Sequence, residues 1–126
     1  MKLARLFRLT ATVVLVQIAL GGLITFGFIA PLVHIVWGTL VVAVAIFTAV
    51  TALRTKPPDG GLRGVSTGLM VGLLAQVALG FTTLSLGSNV LAWIHLMVGV
   101  LIYAMALTGM SFAQRADYMS ASQRGA

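Results

Sequence analysis

Gln17-Ile18-Ala19-Leu20-Gly21 and His34-Ile35-Val36-Trp37-Gly38 decide the fold, because each stretch is used twice. The first returns as Gln76-Val77-Ala78-Leu79-Gly80, 59 residues later. The second returns as His95-Leu96-Met97-Val98-Gly99, 61 residues later. At that second spacing Ala43, Ala45 and Arg54 also match Ala104, Ala106 and Arg115. His34 and His95 are the only two histidines in 126 residues, and they hold equivalent places in two copies of one unit.

Around this duplication the composition is that of a chain dissolved in lipid. Hydrophobic residues make up 60% and charged residues 8%, with a mean hydropathy of +1.08. A water-soluble domain is about a quarter charged. The length allows one domain. A net charge of +6 raises the question of nucleic acid, but the basic residues lie outside the apolar runs and orient a membrane protein instead. With no cysteine there is no disulfide, no thiolate ligand and no covalently attached c-type haem. The only acids, Asp59 and Asp117, also fall outside the apolar runs. Lys2, Arg5 and Arg8 resemble the start of a signal peptide. The apolar run after them is longer than such a segment needs, lacks a small-residue cleavage site and belongs to the first repeat, so it is read as retained.

A helix needs about 20 apolar residues to cross the hydrocarbon layer. Four stretches qualify: 9–30, 32–53, 65–86 and 90–113, followed by a polar tail at 114–126 that is expected to fray or lie on the surface. Pro31 suits the first turn of a helix, and Arg54–Arg63, with Pro57-Pro58 and Gly60-Gly61, suits a polar turn. The predicted fold is an all-α integral membrane four-helix bundle. Every basic residue falls on one side of it, while the turns at 28–31 and 87–90 carry no charge. By the positive-inside rule both termini and the middle loop are cytoplasmic, with the chain in the cell membrane. Two spans per copy give both copies the same orientation, as two parallel two-helix repeats about an axis along the membrane normal. His34, three residues after Pro31, and His95, six after Asn89, then lie within roughly 10 Å of the outer ends of the second and fourth helices.

Ionisable groups inside a membrane are costly and usually face the bundle interior. Two imidazoles with no further ligand make a poor zinc site, which wants three or four. They suit the two axial positions of a haem iron, whose other bonds come from the porphyrin, and a bundle core is a common home for such a cofactor. The candidate site is therefore His34 and His95 as ligands of haem b, iron protoporphyrin IX or a derivative. Gly21, Gly22, Gly27 and Gly80 leave room for the flat macrocycle, and Gly38 and Gly99 lie one turn below each histidine. Gln17 and Gln76 form a second matched pair, placed to contact a quinone, a substrate or water. A plainer role exists for each. Histidines and glutamines hydrogen-bond across helices, and glycines let helices approach.

Trp37, Trp93, Phe28 and Tyr118 are placed as interface anchors, and Met97, beside His95, as packing. Thr82, Thr83, Ser85, Ser88 and Asn89 are positioned either for haem propionates or for a helix end, and no arginine or lysine lies on their side.

Gln-x-x-x-Gly on one span and His-x-x-x-Gly near the start of the next resemble the haem A synthase family over about residues 10–115. The resemblance implies one four-helix bundle, half the size of those proteins, with His34 and His95 at the family's two ligand positions. The family's catalytic half places a glutamate shortly before its first histidine. Here Ile29-Ala30-Pro31-Leu32-Val33 precede His34 and neither copy offers a carboxylate. The chain thus looks like the haem-holding, non-catalytic half. The expected function is single-electron transfer in the lipid bilayer beside a larger respiratory or quinol-oxidising complex, with no nucleic acid involved. A compact haem A synthase oxidising a haem methyl group and a cofactor-free structural subunit are the alternatives. Coupled multidrug transport generally needs an intramembrane acid, which no span has.

Overall fold

A computed structural model describes residues 3–55 and 59–124, without the side chains of residues 120 and 122–124. It contains four helices, α1 (Leu3–Thr25), α2 (Pro31–Leu53), α3 (Gly60–Leu86) and α4 (Asn89–Arg124). All four are long and apolar enough to cross a membrane, the build of a multi-pass membrane protein. Each packs antiparallel on its chain neighbour, and α4 closes the ring against α1. The diagonal pairs α1–α3 and α2–α4 do not bring their described backbones together. Arg5, Arg8, Arg54, Arg63 and Arg115 therefore share one end of the bundle. Lys2, Lys56, Pro57, Pro58 and the side chain of Arg124, which belong to the same expectation, lie outside the described residues.

Local chemistry sets the helix ends, and four differ by several residues from the hydropathy boundaries, among them the start of α3, at Gly60 rather than residue 65. α1 begins at Leu3 rather than residue 9, because arginine and alanine are strong helix formers on either side of a membrane surface. It stops at Thr25 rather than residue 30. Gly27 adopts φ 73°, with Gly27 N–H donating to Ile24 and Phe28 N–H to Leu23, the two bonds of a Schellman turn. Ala30 and Pro31 open α2 as foreseen. Asp59 caps α3, its carboxylate accepting from Leu62 N–H at 2.7 Å. α3 ends on Gly87 at φ 60°. α4 does not fray at residue 113 but runs on to Arg124, because Gln114-Arg115-Ala116 are strong helix formers in water as well as in lipid. At 36 residues it spans about 54 Å.

Packing is uneven along the bundle. Every buried hydrophobic or polar side chain among the described residues lies in the half nearer the arginines: 4–14 of α1, 41–52 of α2, 62–73 of α3 and 102–113 of α4. Small residues bring the backbones together there. Ala45, Ala49, Ala106 and Ala113 are fully buried, and the Phe7 ring lies against Gly109. Thr10 and Thr48 are also fully buried and share a 2.9 Å hydrogen bond from α1 to α2. Trp37, expected to anchor at the interface, instead donates its indole N–H to the Val13 carbonyl at 3.0 Å, because that carbonyl is the acceptor within reach inside the lipid. In the other half the large apolar side chains turn outward. Leu74, Phe81, Val90 and Trp93 are all more than half exposed, which in lipid carries no penalty. That loose half holds both glutamines and both histidines.

Candidate functional site

Each Gln–His pair forms within one antiparallel hairpin. α1 supplies Gln17 and Gly21, one turn apart on one face, and α2 answers with His34 and Gly38 at the same spacing. The Gln17 side-chain N–H₂ donates to the His34 backbone carbonyl at 3.2 Å and lies 2.9 Å from His34 Nε2. On α3 and α4 the Gln76 amide donates to the His95 carbonyl at 2.8 Å and lies 3.4 Å from His95 Nε2.

The four matched glycines are the other half of this arrangement. A Cβ on Gly38 would lie 2.9 Å from Gln17 Nε2, and one on Gly99 would lie 3.1 Å from Gln76 Nε2. In the opposite direction, a Cβ on Gly21 would lie 3.3 Å from His34 Cε1, and one on Gly80 would lie 3.1 Å from His95 Cε1. Each amide thus seats in the glycine notch of the facing helix, and each imidazole seats in the notch beside that amide. The i, i+4 spacing of both motifs follows directly, since it sets a side chain and a notch one turn apart.

Across the bundle axis the two imidazoles face each other, with ring centroids 6.2 Å apart and planes inclined at 63°. This is the approach that α2 and α4 make through side chains while their backbones stay apart. Nδ1 of His34 and of His95 and Oε1 of Gln17 and of Gln76 are buried without a hydrogen-bond partner among the described residues. Thr83 Oγ1, one turn above Gly80, is in the same state, whereas Thr82 bonds back to the Ala78 carbonyl at 2.8 Å.

Not every predicted residue joins the cluster. A Cβ on Gly22 would meet nothing within 4 Å, so this glycine borders open space rather than an imidazole. Gly27 is likewise free of neighbours, and its role is the turn that ends α1. Met97 is 53% exposed and points away from His95. Ser88 caps α4, accepting from Leu91 N–H at 3.4 Å. Phe28 and Trp93 are exposed at the uncharged end. A shallow apolar cleft of about 70 Å³ between α2 and α3, lined by Val42, Ile46, Met70, Leu73, Leu74 and Val77, includes none of the cluster. No group of three or more histidine, cysteine or acidic side chains able to hold a metal forms among the described residues. Asp59 and Asp117 lie at helix ends by the arginines, so the cluster holds no carboxylate.

The glutamines and histidines hydrogen-bond across helices, the plainer of the two roles read for them, and what motif spacing left open is that they are each other's partners. Both pairs were visible as repeats, but only the register of one helix on the next puts the amide on the imidazole. No protein-family model, curated protein or solved structure matches this chain.

Proposed function

We propose that the chain is a b-type haem protein of the cell membrane that carries single electrons, with His34 and His95 as the two axial ligands. The bundle would be two parallel copies of a helical hairpin, its arginine end and both termini cytoplasmic, and its fold like one bundle of a haem A synthase. One observation carries the proposal: two imidazoles from diagonal helices meet at 6.2 Å on the axis of an otherwise apolar bundle. Two metal–nitrogen bonds of about 2 Å each, added to the distance from each nitrogen to its ring centre, come to roughly the same length. The donor set also fits, because iron in a porphyrin leaves two positions and this chain offers two ligands.

Bound haem would supply reversible one-electron chemistry. The chain's own residues do the rest. His34 and His95 hold position from opposite walls, while the glycines at 21 and 80 keep each ring seated. The Gln17 and Gln76 amides lie on Nε2 and on the backbone carbonyls of His34 and His95, and with haem bound they would keep the carbonyl contacts. Lipid-facing leucines, valines and phenylalanines exclude water from this half. A larger respiratory or quinol-oxidising complex is the partner such a small carrier would serve. Oxidising a haem methyl group requires proton handling, and the absence of a carboxylate near either described histidine weighs against a compact haem A synthase.

A second role is favoured by one specific contact. Each Gln–His bond pins two helices together, as polar pairs do in membranes, so a cofactor-free structural subunit is the competing proposal. A redox difference spectrum of the purified protein separates the two. A haem band that disappears in His34→Ala and in His95→Ala supports the first. Absence of haem from the unmodified protein supports the second.

A further inference from the structure

We infer that Gln17 and Gln76 are positioning residues that decide which nitrogen of each histidine carries the proton, keeping Nε2 unprotonated. The His34 backbone carbonyl is purely an acceptor, so the atom of the Gln17 amide lying 3.2 Å from it is the N–H₂ group and not the oxygen. That same nitrogen lies 2.9 Å from His34 Nε2. An amide nitrogen only donates, so Nε2 must accept and must carry no proton. The proton of the neutral ring therefore sits on Nδ1. The same chain of reasoning holds in the second hairpin, where Gln76 donates to the His95 carbonyl at 2.8 Å and approaches His95 Nε2 at 3.4 Å. In each case a backbone group that cannot change its role fixes the amide, and the amide fixes the ring. Gly38 and Gly99 make this possible by leaving the notch in which the amide sits.

The consequence is a pair of histidines prepared for metal before any metal arrives. The tautomer of a ligating imidazole is usually set by a hydrogen bond from its other nitrogen, but Nδ1 of both histidines has no partner among the described residues, so the amide on Nε2 is what selects it. Here the donor placed on Nε2 stands in for the metal. The inference rests on the proposed function only for what the unprotonated Nε2 is for, because the tautomer itself belongs to the ligand-free protein.

Nitrogen-15 magnetic resonance of histidine-labelled, ligand-free protein in detergent or bilayers reads the tautomer directly. The expected spectrum shows an unprotonated Nε2 and a protonated Nδ1 for both histidines. In Gln17→Leu the His34 Nε2 signal moves toward the protonated range while His95 stays unchanged, and Gln76→Leu gives the reverse. Gly38→Ala, which expels the amide without altering it, moves His34 as Gln17→Leu does. A protonated Nε2 on either histidine of the unmodified protein overturns the inference, even if no variant folds. So does a tautomer that ignores the loss of its glutamine. A chain that binds no haem yet shows the expected spectrum defeats the proposed function and leaves this inference standing.

Discussion

The side-chain amide of Gln17 lies where a methyl group on Gly38 would crowd it, since a Cβ at that position would stand 2.9 Å from Gln17 Nε2. Gln76 and Gly99 repeat the relation at 3.1 Å. The glycine four residues after each histidine is therefore a seat for the amide that holds that histidine, not a general permit for close packing.

Substituting these seats by alanine tests that relation against the usual effect of alanine in a helix. Gly38→Ala and Gly99→Ala should lower stability in detergent. Each displaces an amide holding up to two contacts, and interhelical hydrogen bonds in membranes average about 0.6 kcal/mol with maxima near 2. Gly22→Ala is the contrast. Its Cβ would meet nothing, so only the gain of about 0.5–1 kcal/mol from replacing a helical glycine remains. Thermal melts should move in opposite directions. A common shift of all three variants would mean that the notches do not hold the amides.

The histidines should behave as two ends of one site rather than as two sites. Under the proposed function His34→Gly and His95→Gly should each lose all of the haem, not half of it, because each removes one of the two proposed ligands. Free imidazole added to either variant should restore the two-histidine spectrum by filling the vacated place. One haem per chain in the unmodified protein and near none in each variant is the expected outcome. Half occupancy in the single variants would point to two independent sites.

Much of this was legible in the residues, for reasons that also mark the limit. Gln17 and Gln76, His34 and His95 and their glycines stand out because a polar group inside an apolar run is costly, and four matched costs invite one explanation. Hydropathy, however, records where lipid is, not where a helix ends. It therefore missed the turn at Gly27, which looks like any other glycine until its φ is known, and it missed the continuation of α4 past Ala113. Register between helices is also invisible along a single chain. That is why the Gln–His bonds, the Thr10–Thr48 bond and the Trp37 bond to Val13 emerged only from the packed bundle.

The buried hydroxyls near the arginine end divide into satisfied and unsatisfied. Thr10 and Thr48 have two hydroxyl hydrogens between them, one bridging the pair and the other donated to the Leu6 or the Val44 carbonyl. Ser66 is fully buried with no partner for its Oγ among the described residues. Ser66→Ala should therefore raise stability, by roughly 1 kcal/mol, since it removes an unpaired polar atom and improves helix propensity. Thr10→Val and Thr48→Val should each cost about 0.6 kcal/mol or somewhat more. Their double variant should cost less than the sum, as expected for partners in one bond. Unfolding in a graded detergent series reads all four.

The turns at the uncharged end depend on backbone that only glycine adopts without strain. Gly27 has φ 73° and Gly87 has φ 60°. Gly27→Ala and Gly87→Ala should each destabilise by about 1–2 kcal/mol, the cost of a left-handed conformation for a residue with a Cβ. Asparagine at either position should recover part of that loss, because its side chain tolerates this region. Equal tolerance of alanine at both turns would contradict the two helix ends described above.

The absence of cysteine makes the proposed orientation directly measurable, because a single introduced thiol is the only one in the protein. Phe28 and Leu86, 73% and 68% exposed, lie at the uncharged end, while Tyr118, 78% exposed, lies at the arginine end. None of the three takes part in the Gln–His contacts. With the arginines held at the cytoplasmic face, a membrane-impermeant thiol reagent added to intact cells should label Phe28→Cys and Leu86→Cys. Tyr118→Cys should react only after the membrane is opened. The inverse pattern would turn the bundle over and move the histidine pair from the outer half of the membrane to the inner half. The imidazoles stay in the half away from the arginines whichever way the chain is inserted.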